Sequence, residues 1–431
     1  MKKVLILSVH FPPDNIIAAR RAEAYANYLH RHGIAPTIVT HRWERTGERL
    51  DENGWVVHEH GEKSLIEEMD NYTVIRVPRK ETRKGQLMRQ RASNKWTNRF
   101  QIFRNWFNGD LDAISSAIDS YTNINEFLFE YLKTHKYDLL IGIFSPHHHI
   151  RSCYDLNRRF GIPYMIDFRD LWTNEVLQRT YTPRVTQKIR DYFIKKHWRK
   201  WLSNAIRFTA VSGPIRDIID EFVQPKGAIV TNGYESDLFN NVTKRKNESF
   251  TIAHIGTLYD GQRLDLIFEA LSTLKQNKRI GSFCLHFVGV KKSMKKRIND
   301  TAEKYKLTDS IVMTERVPRE KAIEIMVSSN ILFYPAWENE RGIYSGKIFE
   351  YLGSKTPVLV TPSDQDVVEE LINKTQAGVC SNSLDEVKAF IKDNYEKWEK
   401  GEAGANKSKL VEMYTREAQV AEMASIIQQN L

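Results

Sequence analysis

VLILSVHFPPDNIIAARRAEAYANYLHRHGIAPTIVTH, residues 4–41, decides the fold class. Its first six residues are apolar or small without alternation, which is how a strand buried on both faces reads. After the loop with Pro12 and Pro13, apolar residues return at helical spacing. Ala18, Ala22, Tyr25, Ala26 and Leu29 share one face of a helix predicted over 17–33. Gly33 stops that helix, and PTIVTH (36–41) is a second strand. Strand, helix and strand in this order form a βαβ unit, which needs a parallel sheet and a right-handed crossover.

The alternation continues along the chain. Strands are predicted at 72–77, 138–144, 163–168, 208–212 and 228–232, with helices at 124–135 and 149–161 between them. SDLFNNVTKRKNES (236–249) is polar and without period, and reads as a linker. A second series follows, with strands at 250–256, 283–289, 310–315, 331–335 and 357–362 and helices at 264–277 and 321–329. At 431 residues the chain exceeds what one core usually serves. The expected architecture is α/β: an N-terminal Rossmann-like domain over 1–240, with a basic insertion near 79–120, and a C-terminal one over 250–410. Residues 411–431 are expected to form a helix packing back on the first domain. Ligands of such sheets bind beyond the carboxyl ends of the strands, so two facing sheets are expected to enclose a cleft.

The net charge of +10 is concentrated. Residues 79–104 hold nine Lys/Arg and one Glu, and residues 184–200 hold seven Lys/Arg and one Asp, both interleaved with Trp or Phe. These are either solvated helix faces or docking surfaces for an anionic membrane or a phosphate-bearing acceptor. No helix-turn-helix, zinc-finger or RNP-type signature accompanies the charge, so nucleic acid is not an expected partner. No apolar run reaches the length of a membrane span. The opening MKKVLILSVHFPPDN has too short an apolar stretch and no small-residue cleavage site, and reads as a core strand, not a signal peptide. Cys153, Cys284 and Cys380 are scattered and odd in number, so a disulfide framework or zinc site is not indicated and a reducing cytoplasm is expected. Two Asp-x-Asp triplets, 110–112 and 364–366, suggest metal chemistry at first sight. The first lies in the basic insertion and the second reads as a helix cap, so no metal is expected.

Five segments that follow predicted strands carry the chemistry: HFPPDNIIAARR (10–21), SPHHHI (145–150), DFRDLW (167–172), GTLYDGQR (256–263) and YSGKIFEYLG (344–353). In the last, Ser345 and Gly346 open a helix, Lys347 stands at its mouth, and Glu350 lies one turn deeper on the same face. A helix N-terminus beside a cation is a place to hold phosphate, and a carboxylate below it can accept hydrogen bonds from paired sugar hydroxyls. The alternative is an ordinary i,i+3 pair.

This set resembles family 4 of the retaining, nucleotide-sugar-dependent glycosyltransferases, which have the GT-B fold of two facing Rossmann-like domains. The resemblance is carried by VLILSVHFPPDN, IPYMIDFRDLWT (162–173), TAVSGPIRDII (209–219), VTNGYESDLF (230–239), IAHIGTLYDGQR (252–263) and KIFEYLGSKTPVLV (347–360). It implies transfer of a sugar from a nucleoside-diphosphate donor, most readily UDP- or GDP-linked, with no cofactor. Glu350 matches the family's ribose-binding glutamate, but its sugar-contacting glutamate is replaced by Gly342, leaving Glu338 or Glu340 as substitutes from the preceding loop. Thr257 stands after Gly256 where the family has a diphosphate-gripping arginine. That leaves Arg263, with Lys347, Ser345 and Gly346, to grip the diphosphate. Val317 and Pro318 match the loop that cups the nucleobase.

On the acceptor side, the resemblance points to Asp14, Asn15 and Arg20 in the first loop and to Arg169 and Asp170 in DFRDLW, the last two having a local salt bridge as their alternative reading. One of His147 and His148 is expected to face the reacting sugar, against the alternative that all three histidines of 147–149 are structural. The implied protein is cytoplasmic, peripheral on the inner face of a membrane, and acts on a saccharide or lipid-linked acceptor in cell-envelope, capsule or exopolysaccharide synthesis. Two rivals share the fold: a non-hydrolysing nucleotide-sugar epimerase, and a non-catalytic partner protein, for which Gly342 and Thr257 speak.

Overall fold

The computed structural model describes residues 1–14, 17–50, 56–60, 63–78, 103–104, 107–108, 120–170, 184–338, 340–402, 405–406 and 408–431. The chain divides into two compact units, Met1–Thr231 with Val420–Leu431, and Asn232–Gln419.

Unit 1 is built on an eight-stranded sheet. Its strands are β1 (Lys2–Leu7), β2 (Ile34–His41), β5 (Leu65–Glu68), β6 (Thr73–Val77), β7 (Leu139–Phe144), β8 (Tyr164–Phe168), β9 (Arg207–Ala210) and β10 (Gly227–Ile229). A separate antiparallel pair is formed by β3 (Trp43–Leu50) and β4 (Val56–His60). The spatial order is β10-β9-β8-β7-β1-β2-β6-β5, parallel except for the edge strand β5. Order reverses between β1 and β7, where Leu5 pairs with Thr37 on one side and Leu140 on the other. The alternation of β1 shows why both faces are covered. Leu5 and Leu7 join a cluster with Ile150, Leu156 and Trp198 of the helices His147–Phe160 and Arg184–Trp201. Val4 and Ile6 join the opposite cluster with Ala22, Tyr25 and Ala26 of the helix Ala19–Tyr28. Val420, Met423 and Ile427 of the last helix, Arg416–Gln429, belong to that second cluster.

Unit 2 repeats the plan with β11 (Phe250–Ile255), β12 (Phe283–Val288), β13 (Ile311–Thr314), β14 (Ile331–Tyr334), β15 (Val358–Val360) and β16 (Gly378–Cys380). All run parallel, in the order β13-β12-β11-β14-β15-β16. This is the doubly wound Rossmann order, with its switch point between β11 and β14.

The stretch 236–249 is not a linker. It lies inside unit 2, where Phe239 packs edge-on against Tyr234 and the Asn247 amide donates to the Ser328 carbonyl. The division falls at 231/232 and again at 419/420, within the last helix. Some elements carry too little hydrophobic signal to be read. The helix Lys292–Lys304 buries only Met294, Ile298 and Ala302, and β16 has three residues.

A buried ion pair ties unit 1 together. Arg21, 6% exposed, donates through Nε and Nη2 to the two oxygens of Asp167 at 2.6 and 2.7 Å, and Asp167 is fully buried near the carboxyl end of β8. The hydroxyls of Tyr25 and Thr209 donate to the same carboxylate at 2.8 and 2.7 Å. Arg21 also donates to the carbonyls of Val230 and Thr231 at 2.9 and 3.0 Å. Both carboxylate oxygens thus accept two hydrogen bonds each and the guanidinium donates four, the kind of pairing under which a buried charge pair is tolerable. Removing one partner leaves an uncompensated charge, so Asp167→Ala is expected to cost about 3–5 kcal/mol. Chemical denaturation should show this as a lower midpoint for unit 1. The double variant Arg21→Met, Asp167→Leu, which removes both charges, is expected to recover most of that loss.

Candidate functional site

The site of unit 2 begins with a splay. β11 and β14 pair only through Ile252–Ile331 and Ala253–Leu332, and beyond that point the two strands separate. Side chains take over from the ladder. His254, fully buried, bonds through Nδ1 to the Phe333 carbonyl at 3.1 Å. The Tyr351 hydroxyl accepts the Ile255 N–H at 2.8 Å and reaches the same Phe333 carbonyl at 3.5 Å. Tyr351 comes from the helix Gly346–Ser354, whose N-cap residue, Ser345, has extended backbone.

Lys347 sits at the first turn of this helix, and its ammonium turns inward. It donates to the Thr257 carbonyl at 2.7 Å and lies 3.4 Å from His254 Nε2. Because His254 Nδ1 faces a carbonyl, that nitrogen carries the proton, and Nε2 offers its lone pair to the ammonium. Burial, reinforced by the Lys347 charge, keeps the His254 pKa well below the usual histidine range, so the imidazole stays neutral. Burial also lowers the Lys347 pKa to about 7, with only Glu350 opposing it. Among the described residues no carboxylate lies within ion-pair distance of Lys347. Gly256, with φ +99°, shapes the turn above it, and a Cβ there would come within 3.6 Å of Nζ.

The neighbouring loops converge on the same end of the sheet. Pro318 opens the helix Arg319–Ser328, and Arg319 Nη2 donates to Glu350 Oε1 at 3.1 Å, which brings the Val317–Pro318 loop next to Glu350. Val317 packs on the cluster containing Tyr334 and Ile348. Gly256, Thr257, Val317, Pro318, Ser345, Gly346, Lys347 and Glu350 therefore all lie at the carboxyl ends of unit 2's strands, where open α/β sheets take their ligands. Arg263 departs from the expected grip. Its Nη1 is 3.2 Å from both oxygens of Glu338, and the side chain is 62% exposed. Gly342 has φ +76° and donates its N–H to Asp366 Oδ2 at 2.5 Å. A glutamate at that position would be strained, which is a physical reason for the missing carboxylate.

Unit 1 groups its candidates differently. Asp14 is buried and bonds His10 Nδ1 at 2.6 Å. Asn15 lies outside the described residues, as do the first Asp-x-Asp triplet and most of the basic insertion. Arg20 makes a local 2.7 Å pair with Glu23, and Arg169 one of 3.2 Å with Asp170. Asp167 turns away from Arg169 into the core to meet Arg21. His147 is a correction. It is 5% exposed, its Nδ1 accepts the Trp198 indole N–H at 3.0 Å, and its ring meets Phe144 edge-on, so the core holds it. His149 is fully buried and bonds the Ile143 carbonyl at 2.9 Å, while His148 is half-buried. Sequence reasoning missed Arg319, His254 and His10. The first two sit beside recognised positions without any motif of their own.

Residues 235–412 match the family described as "Glycosyl transferases group 1". No curated protein matches the chain. Among solved structures, a sucrose-phosphate synthase from Thermosynechococcus elongatus aligns at 15% identity over 100% of this chain and 99% of that one, with TM-score 0.63. A glycosyltransferase from Rickettsia africae ESF-5 aligns at 14% identity over 100% and 98%, with TM-score 0.58. Anabaena Alr3699/HepE, solved in complex with UDP, aligns at 10% identity over 100% of both chains, with TM-score 0.57. At these identities the structural likeness is one of fold. The fold is that of GT-B glycosyltransferases, and the family match is confined to residues 235–412.

The second Asp-x-Asp triplet has a local occupation. Asp364 accepts the N–H groups of Asp366, Val368 and Glu369 at 3.2, 2.9 and 3.1 Å, capping the helix Val367–Thr375. Asp364→Ala is expected to cost about 1–2 kcal/mol as a lost cap, read as a lower unfolding midpoint. Millimolar Mg²⁺ should leave the wild-type midpoint unchanged. A rise with Mg²⁺ that Asp364→Ala abolishes would restore the metal reading of the triplet.

Proposed function

We propose that the protein transfers a sugar from a nucleoside-diphosphate sugar to a hydroxyl of a saccharide or lipid-linked acceptor, with retention of anomeric configuration and without a metal ion. The observation that carries this reading is the Lys347 ammonium. It stands at the mouth of a helix at the switch point of unit 2, bonded to a carbonyl and a neutral imidazole, with no carboxylate on it among the described residues. A half-buried cation without a counter-ion is unfavourable, and an anion of another molecule would complete it. The helix N-terminus at Ser345 and Gly346 adds partial positive charge in the same place.

In the proposed reaction the anomeric carbon–oxygen bond breaks and its electron pair goes to the diphosphate. The acceptor oxygen forms the new bond on the same face, and its proton passes to the leaving phosphate oxygen. Lys347 and the helix N-terminus stabilise the charge that develops, without reorganising at the moment of reaction. Glu350 exchanges Arg319 for the ribose hydroxyls, and Val317 and Pro318 lie against the base. The base is proposed to be uracil, since Anabaena Alr3699/HepE of the same fold was solved with UDP, with guanine as the other choice. The loops ending β1 and β8, with Asp14, Arg20, Arg169 and Asp170, are proposed to take the acceptor.

A cytoplasmic site at the inner face of a membrane, in envelope or exopolysaccharide assembly, is proposed from one surface of unit 1. On the helix Arg184–Trp201, Ile189 and Tyr192 are 39% and 63% exposed beside the exposed cations Lys188, Lys196, Arg199 and Lys200. Phe103 and Phe107 are also exposed and pack edge-on against Phe193, and the Lys196 ammonium lies 5.2 Å from the Phe107 ring centre. Apolar tips ringed by cations suit an anionic lipid interface. Among the described residues no helix is long and apolar enough to cross a membrane.

Two outcomes are expected. In thermal unfolding with UDP, GDP, ADP, TDP and CMP, one diphosphate at 100 times its dissociation constant should stabilise by about 2.7 kcal/mol. That shift should not need Mg²⁺ and should vanish in Lys347→Ala. If no diphosphate shifts the transition, the donor reading is lost and the non-catalytic partner takes its place. In sedimentation with lipid vesicles, the protein should bind those containing phosphatidylglycerol and not pure phosphatidylcholine, less tightly as salt rises. Tyr192→Ser with Lys196→Glu should abolish that binding, whereas equal binding to both vesicles would contradict the membrane proposal.

A further inference from the structure

The two loops that leave β11 and β14 are joined by ties of two kinds. The first kind is buried or backbone-directed. The Gln262 amide donates to the Pro335 carbonyl at 2.6 Å, and the Trp337 ring lies so close over Gly261 that a Cβ there would meet it at 2.7 Å. Arg297 donates to the carbonyls of Tyr259, Asp260 and Gln262 at 3.3, 2.8 and 2.5 Å, fixing the first loop from below. The second kind, among the described residues, is an ion pair at the surface, Arg263 with the half-buried Glu338. An exposed pair of this kind contributes little to stability, and the loops are held without it. Arg263 can therefore change partner by a rotation of its own side chain, with no movement of either backbone.

We propose that Arg263 and Glu338 form an exchangeable clasp, in which Glu338 holds the guanidinium until the diphosphate of the donor takes it. The inference rests on the donor reading of the Lys347 site. Arg263 sits on the loop whose Thr257 carbonyl holds Lys347, so its guanidinium belongs to the same end of the sheet as the proposed phosphate position. A carboxylate competes poorly with a diphosphate, which carries more charge and more acceptor oxygens for a guanidinium fork. Glu338 thus acts as a specificity-determining residue. It shields Arg263 from weaker anions and neutral ligands, and it opposes every anion that binds, so only a ligand with enough phosphate charge displaces it.

The test is calorimetric titration of the full chain with UDP, GDP, ADP and TDP, with uridine as the uncharged control. Glu338→Gln keeps the side-chain shape but removes the competitor, so the affinity for the diphosphate that the wild type binds should rise about two- to fivefold. Uridine binding should not change, and the unfolding midpoint without nucleotide should stay where it was. Arg263→Gln should weaken the diphosphate and cancel most of the gain when combined with Glu338→Gln. An unchanged or reduced diphosphate affinity in Glu338→Gln overturns the clasp while leaving the donor site standing. Failure of the wild type to bind UDP, GDP, ADP or TDP removes the donor reading and the clasp with it.

Discussion

Where a doubly wound sheet reverses its strand order, the crossovers on the two sides run to opposite wings, and neither crossover covers the ends of the two central strands. In unit 2 this constraint appears as the short pairing between β11 and β14, two residue pairs long. The backbone groups beyond it still need partners, because buried peptide groups are almost always hydrogen-bonded. His254 and Tyr351 supply them, both at the Phe333 carbonyl, and each consequence follows from that repair. His254 Nδ1 is committed to the carbonyl, which turns its lone pair toward Lys347. Tyr351 seats the helix whose first turn holds that lysine. The crevice, the helix mouth and the cation are one structural solution.

The two units treat buried charge in opposite ways. In unit 1 the Asp167 carboxylate takes four hydrogen bonds, from Arg21, Tyr25 and Thr209, and Arg21 donates to two carbonyls besides. Burial pulls the Arg21 pKa down, yet the adjacent carboxylate raises it above its ordinary value. In unit 2 burial acts on Lys347 with little to oppose it, and the pKa falls to about 7. A closed network of the first kind fixes a fold, whereas an open one of the second kind is what a binding site requires.

Much of this was legible in the sequence, because the same residues carry pattern and chemistry. The buried runs of β1 and β7 are unbroken by polar residues, so the parallel sheets could be read from them. SGKIFEYLG displays a cap, a cation and a carboxylate at helical spacing, and all three stand at the switch point. Pairings across long separations in the chain were illegible. Arg21 and Asp167 are 146 positions apart, and Arg263 and Glu338 are 75 apart. His147 looked like a cleft residue because it follows a strand. Trp198, 51 positions away, is what places it in the core. The edge strand β16 and the helix Lys292–Lys304 were missed because they bury so little.

The central claim is that Lys347 meets the donor diphosphate as a cation, and proton linkage tests it directly. Unbound, Lys347 has a pKa near 7, so above that pH most of it is neutral. A diphosphate favours the charged form and raises that pKa, so binding at pH 8 must draw a proton from solution, and affinity must fall as pH rises above 7. Calorimetric titration with UDP or GDP at pH 8, in two buffers of different ionisation enthalpy, measures that uptake. The account predicts uptake approaching one proton in the wild type and none from this position in Lys347→Met. Binding without proton uptake, or the same uptake in both proteins, would show that the ammonium of Lys347 does not hold the diphosphate.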